Sequence, residues 1–411
     1  MVMSRSASTL AASALVSTVA LAQEAIGPPA EVIQACTTAE QWDVVEPWML
    51  SSTNRSPPRK GVVDVTTLGA KPDDEIDDTA ALEAAPAGHT IHFPEGTYLV
   101  SRPLRLKSAT TYSGAGTLKR AAPGAGFIMI AKTVTDVAVT GLTFRGGGII
   151  IGGAKDIRIE RNRFLDIVDP QARFGHEAGI FVDSTLTDSA ITANHFSRIG
   201  FLNGQRTTEH SAAIQAYAHQ NVAIEHNKFP NVHQGISVIF EGRARTGAGL
   251  KVAGNVVINP LRMGIELWGK GMTGAVVEEN CVRAARVGDE DVGLSIVADG
   301  EGSTIGKNLV IQVQPPSAEC AGMAIEVAGR NASVSGNFVA GHWCAAIATY
   351  NERSWSAAIT GNRVCGYRSE HLPIDFIGGI GSSTSLGNEI QRDCPDSIIV
   401  PLDPRASSAF R

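Results

Sequence analysis

A chain of 411 residues with 43% hydrophobic residues can bury a sizeable core, and its 43 glycines exceed the usual share of ~7%, which indicates many tight turns. The formal net charge of -6 and a pI near 5.9 exclude the broad basic surface that nucleic acids or acidic membranes require. A local cationic site for an acidic sugar stays open.

The first segment, MVMSRSASTLAASALVSTVALAQ, carries one Arg, a short apolar and small-residue stretch, and Ala-Leu-Ala ending at Ala22. It reads as a secretory signal over residues 1–22, followed by an N-terminal extension over 23–61. No later stretch reaches the ~18 apolar residues that a membrane span needs. Export to an extracellular or periplasmic space is the expectation. Six cysteines (Cys36, Cys281, Cys320, Cys344, Cys365, Cys394) allow up to three disulfides there, with connectivity left open, and no Cys-x-x-Cys pair suggests zinc.

Next, VVDVTTLGAKPDDEIDDTAALEAA predicts a strand, an acidic turn and a short amphipathic helix that Asp77 or Asp78 can cap. HTIHFPEGTYLVSRPLRL predicts strand, Pro-Glu-Gly turn, strand. Such a helix would cover the first coil of a stacked fold.

From about Gly146 the chain repeats. An Asn with an apolar residue within two positions recurs at Asn162, Asn194, Asn227, Asn255, Asn280, Asn308, Asn337, Asn362 and Asn388. A period in the twenties to low thirties indicates a solenoid. Each unit holds two stretches with period-two apolar alternation, which means strands. The expected fold is therefore all-β: a right-handed parallel β-helix over 62–400 with an N-terminal capping helix and a tail over 401–411. Parallel stacking sets equivalent residues ~4.8 Å apart, so the Asn side chains can bond along a ladder.

The opening DVTTLGAKPDDEIDDTAALEAA with IHFPEGTYLVS, and the later Asn-marked coils, resemble secreted β-helix proteins of the pectate-lyase-like superfamily. The resemblance implies this fold and carbohydrate substrates. The superfamily spans lyases, polygalacturonase-type hydrolases, uronan epimerases and phage tailspikes, so fold alone does not choose the reaction. The Asn-Thr-Asp, Asp-Asp, Gly-His-Gly and Arg-Ile-Lys set of polygalacturonases is missing, as are the Asp-Pro-His-Glu of uronan epimerases and the Arg-Pro pattern of calcium pectate lyases. No residue is carried over from those families.

Taking Gly179, Ala213, Gly235, Gly264, Gly293, Gly322, Ala346 and Pro373 as equivalents separates the strand faces by parity. Ile180, Ile214, Ile236, Ile265, Leu267, Ile296, Ile325 and Ile347 point inward. Outward rows run Phe181, Gln215, Ser237, Glu266, Ser295, Ala324, Ala348, Asp375; then Asp183, Tyr217, Ile239, Trp268, Val297, Glu326, Tyr350, Ile377; then Thr185, His219, Glu241, Lys270, Asp299. His233 and Arg262 precede the strands one coil apart, and Glu209 and His210 lie at the edge. Trp268, Gln215, His219, His210, Asp299 and Tyr350 are the candidate substrate-binding residues, because rings stack on sugars while amides and charges bind hydroxyls. The plain alternative for Glu241, Lys270 and Asp299 is a surface ion ladder worth ~0–1 kcal/mol per pair.

Lys270, Arg262, His233, Tyr217, Glu241 and Glu266 are the candidate catalytic residues. In β-elimination on a uronate, Arg262 and His233 would neutralise the carboxylate while Lys270, Tyr217 or His219 takes the C5 proton. Hydrolysis needs two carboxyl groups, and Glu241 with Asp299 or with Glu266 has marginal spacing for it. The residues thus favour a polysaccharide lyase, with a glycoside hydrolase or a non-catalytic carbohydrate-binding β-helix as alternatives. No cofactor is demanded, although Glu241, Glu266 or Asp299 could hold Ca²⁺.

Overall fold

The computed structural model describes residues 36, 59–122, 126–169, 177–202, 205–206, 211–239, 247–269, 271–284, 296–298, 300–312, 321–327, 329–341, 343–350, 356–366, 372–377 and 383–394. They form a right-handed parallel β-helix. Three strands per full coil stack into three columns. The first two columns join in one sheet of 23 strands, because the long strands Ala178–Thr192 and Ala212–Glu225 run through the corner into both; the third column is a sheet of 12.

Alternation of the sequence becomes a core through register. The first column stacks Met129, Ile149, Ile180, Ile214, Ile236, Ile265, Ile296, Ile325, Ile347 and Ile374 in line. The second stacks Ile159, Ile191, Ile224, Val252, Val277, Ile305, Val334 and Ile359. In the third, Phe144, Phe164, Phe196 and Phe229 stack face to face with centroids 4.8, 4.8 and 5.0 Å apart, and Val257, Val282, Val310, Val339 and Val364 continue the line. Burying each large side chain contributes roughly 1.5–3 kcal/mol. The glycine that opens many first-column strands has a steric cause. A Cβ on Gly264 would meet Val282 at 2.6 Å, and one on Gly179 would meet Phe196 at 2.7 Å.

The Asn ladder is complete as expected. Each Asn from Asn162 to Asn362 donates its side-chain amide to the next Asn and to a strand carbonyl; Asn255, for example, reaches Asn280 at 2.9 Å and Ile224 O at 2.8 Å. The residue before each ladder Asn turns the corner in the left-handed region, at Arg161, Ala193, His226, Glu279 and Lys307 with φ of 54–56°. That conformation is uncommon for residues with a Cβ, and the buried ladder beside it holds it in place.

The N-terminal helix is short, Thr79–Glu83, and Leu82 anchors it to the first coil. Asp77 rather than Asp78 takes the helix amide of Thr79, at 3.1 Å. Asp78 instead fixes the adjoining turns by accepting from Lys71 N at 2.7 Å and Leu99 N at 3.1 Å. Disulfides join Cys365 to Cys394 on neighbouring coils and Cys36 to Cys281 across 245 residues, and Cys344 is disulfide-bonded as well. Cys36 and Cys281 lie in an apolar cluster with Leu309, Ile311 and Phe338 on the outer side of the third column. Among the described residues no helix is long and apolar enough to cross a membrane.

Candidate functional site

The outward face of the first column carries a row that the register defines as Phe181, Gln215, Ser237, Glu266, Val297, Glu326, Ala348 and Asp375. Counting from glycine places Phe181 through Glu266, Ala348 and Asp375 in this row. It slips by two in the coils beginning at Gly293 and Gly322, where Val297 and Glu326 replace Ser295 and Ala324. A two-residue slip preserves parity, so inward residues stay inward, but it moves Glu326 from the Trp268 row into the Glu266 row.

Glu266 is only 6% exposed although it points outward. Its Oε2 accepts from Ser237 Oγ at 2.9 Å, one coil back, and from Gln234 Nε2 at 3.1 Å. Both donors are buried, so the carboxylate is held in one orientation. Glu326 is 2% exposed, two coils from Glu266. Two strand spacings put their backbones ~9.6 Å apart. Gln215 is 3% exposed and donates to Tyr217 Oη at 3.4 Å.

Beside this row lie the half-buried Tyr217, Ile239 and Trp268. Tyr217 meets Phe181 edge to face at 5.5 Å, and Phe181 stacks on Phe127 at 5.9 Å, so the ring is braced by an aromatic file. Arg262 is half-buried and follows His233 one coil on, its amide donating to His233 O at 3.0 Å. His233 is buried, with Nδ1 2.9 Å from Ser211 O; a carbonyl only accepts, so Nδ1 carries the proton. Ser211 in turn donates to the buried Glu177 at 2.9 Å. Its backbone contact makes His233 part of the wall before the strands.

His219 does not belong to this face. One extra residue between Val182 and Thr185 shifts the pairing, so Ala218 meets Thr185 and His219 meets the core residue Leu186. Its own strand keeps Ala216, Ala218, Val222 and Ile224 inward on one parity, and His219 is buried out of that alternation where the strand turns the corner ahead of Asn221 in the left-handed region. His219 is 2% exposed and lines an interior cavity with Ala218, Val222, Ile224 and Leu250, and burial pushes its pKa down to about 4. The imidazole is neutral at pH 7.

Lys270, Glu241, Asp299 and His210 lie outside the described residues, as does the Tyr350 side chain; the Tyr350 backbone pairs with Ile377 as counted. The structure therefore brings Gln215, Tyr217, Glu266 and Trp268 onto one outer face, with Arg262 and His233 at its edge. Gln234 was missed. Its signal is faint, a polar residue before a strand-opening glycine. Among the described residues no group of three or more His, Cys, Asp or Glu is arranged to hold a metal ion.

A family model described as rhamnogalacturonase A/epimerase, pectate lyase-like matches residues 62–299. No curated protein sequence matches the chain. Among solved structures, the surface adhesin PfbA of Streptococcus pneumoniae superposes with a TM-score of 0.57 at 16% identity, covering 81% of this chain and 92% of the adhesin. A tailspike protein of the E. coli bacteriophage HK620 gives 0.57 at 13% identity, covering 78% and 70%. A GH136 lacto-N-biosidase from Eubacterium ramulus gives 0.55 at 12% identity, covering 81% and 67%. These likenesses establish the shared β-helix.

Proposed function

From the premise that this chain belongs to the rhamnogalacturonase A/epimerase, pectate lyase-like family, we propose that it is an exported carbohydrate-active enzyme that cleaves a polysaccharide lying on the outer face of the first column. The observation that carries the reaction type is the shared row of Glu266 and Glu326. Their ~9.6 Å backbone separation lies just beyond the ~6.5–9.5 Å that inverting hydrolysis requires between carboxyl groups, and Glu side chains are long enough to close the difference. Glu266, oriented by Ser237 and Gln234, is assigned the role of base that activates water. Glu326 is the acid that protonates the leaving oxygen. Tyr217 and Trp268 supply rings for sugar faces.

β-Elimination, which the sequence alone favours, is the second reading, and the half-exposed Arg262 and Tyr217 support it as carboxylate partner and base. Of the other residues assigned to it, His219 faces the core. That removes one of the three bases considered for elimination, and the Glu266 and Glu326 row supports hydrolysis as the first reading.

Incubation with rhamnogalacturonan, polygalacturonate and alginate separates the readings. Reducing ends without unsaturated-sugar absorbance support hydrolysis, and unsaturated ends support elimination. No product from any of them favours binding without catalysis. Under hydrolysis, Glu266→Gln and Glu326→Gln each lose ~100-fold or more in kcat; full activity in both removes the assignment.

A further inference from the structure

A second concave surface lies around the corner from the candidate active site, on the outer face of the second column. It encloses about 590 Å³ and is lined by Asp156, Arg158, Asp188, Asn221 and Lys251 over a floor of Ala190 and Ala223. Its origin is a row in register: Arg158, Ala190, Ala223, Lys251. Two alanines between two long cationic side chains leave a trench three strand spacings long, ~14 Å. Strand Ala212–Glu225 serves both faces, with Gln215 and Tyr217 near its start and Ala223 near its end.

The walls are preset. Asp156, Asp188 and Asn221 occupy the corner on successive coils, each in the left-handed region with φ of 54, 48 and 53°. Asn221 donates to Asp188 at 2.9 Å and Lys155 pairs with Asp188 at 3.3 Å. Arg158 leans on Asp136 at 3.4 Å, and Lys251 bridges Glu225 at 3.0 Å and Glu278 at 3.5 Å. Groups held this way lose little freedom when a ligand arrives.

We propose that this trench is a second, non-catalytic binding site for a neutral oligosaccharide segment. Its volume falls within the ~300–1,000 Å³ of ligand sites. Two carboxylates and two cations offset one another among the lining residues, which disfavours a polyanion, and no aromatic or large aliphatic wall suits a lipid. Carboxylates that accept from hydroxyls, beside an amide and a guanidinium that donate to them, match a polyhydroxylated neutral ligand. The assignment is independent of the cleavage chemistry on the first column.

Affinity electrophoresis in gels containing galactan, glucan or mannan tests it, using the full chain, Ala223→Trp, Asp156→Ala and Glu266→Gln. At least one polysaccharide retards the parent protein and Glu266→Gln equally, while Ala223→Trp, which fills the trench, weakens retardation at least tenfold. Asp156→Ala reads the same site without added bulk and covers the case in which the tryptophan disturbs folding, checked by circular dichroism. No retardation of the parent protein by any of the three overturns the proposal. So does equal retardation of both trench variants, or loss of retardation in Glu266→Gln, which would assign the binding to the first column.

Discussion

Ser237 and Glu266 sit directly opposite one another on adjacent coils, and the Ser237 hydroxyl donates to the Glu266 carboxylate at 2.9 Å. The pair converts a repeated strand position into an oriented carboxylate. Removing the hydroxyl leaves Gln234 as the remaining described donor. A hydrogen bond to a charged group is worth about 1.5–3 kcal/mol, so Ser237→Ala lowers kcat by ~10- to 100-fold while KM changes little. A fall in affinity with unchanged kcat would mean that Ser237 holds substrate and not Glu266.

The Asn ladder predicts a gradient of sensitivity along the rod. Asn255 is fully buried, donates to Ile224 O and Asn280, and accepts from the backbone and side chain of Asn227. Asn255→Ala strands those partners at a cost of about 3 kcal/mol or more. Asn388 is the last rung, half-exposed, and Asn388→Ala costs about 1 kcal/mol. Denaturant midpoints of the two variants check this; equal losses would mean that the ladder does not act rung by rung.

The same ladder explains what the sequence disclosed. Asn recurs because every coil solves the same corner, and Ile265 or Ile325 could be placed inward because alternation repeats in each strand. The register of Glu326 was less legible. The connection from the third column back to the first varies in length, so counting from Gly293 and Gly322 slips while parity survives. His219 departs from the alternation for a different reason: it lies where its long strand turns the corner ahead of Asn221, and strict period-two counting through AAIQAYAHQ carries no sign of that turn. The Glu266 contacts were illegible because Gln234 lies before the strand start, outside the alternation.

The Cys365–Cys394 disulfide staples the last two described coils across a separation of 29 residues. Loop-closure entropy for that length gives about 3.6 kcal/mol. In Cys365→Ser with Cys394→Ser the C-terminal coils open first, and amide exchange at Ile374–Ile377 and Thr384–Leu386 accelerates while that at Ile157 or Ile191 does not. Uniform acceleration along the rod would mean that the solenoid unfolds as one unit.

His219 predicts the direction of the pH dependence. Burial among Leu186, Val222, Ile224 and Leu250 lowers its pKa from 6.5 to about 4. Below pH 6.5 the unfolded chain takes up a proton that the folded chain refuses until about pH 4, so stability is complete above 6.5 and falls as pH drops through that window. The shift corresponds to about 3 kcal/mol. His219→Leu, which leaves an apolar side chain in the same cavity, flattens the stability profile between pH 6.5 and 4 without abolishing acid unfolding at lower pH. Denaturant midpoints of the two proteins, measured at half-unit pH steps, give the slope directly. Parallel slopes would mean that a different group takes up the proton.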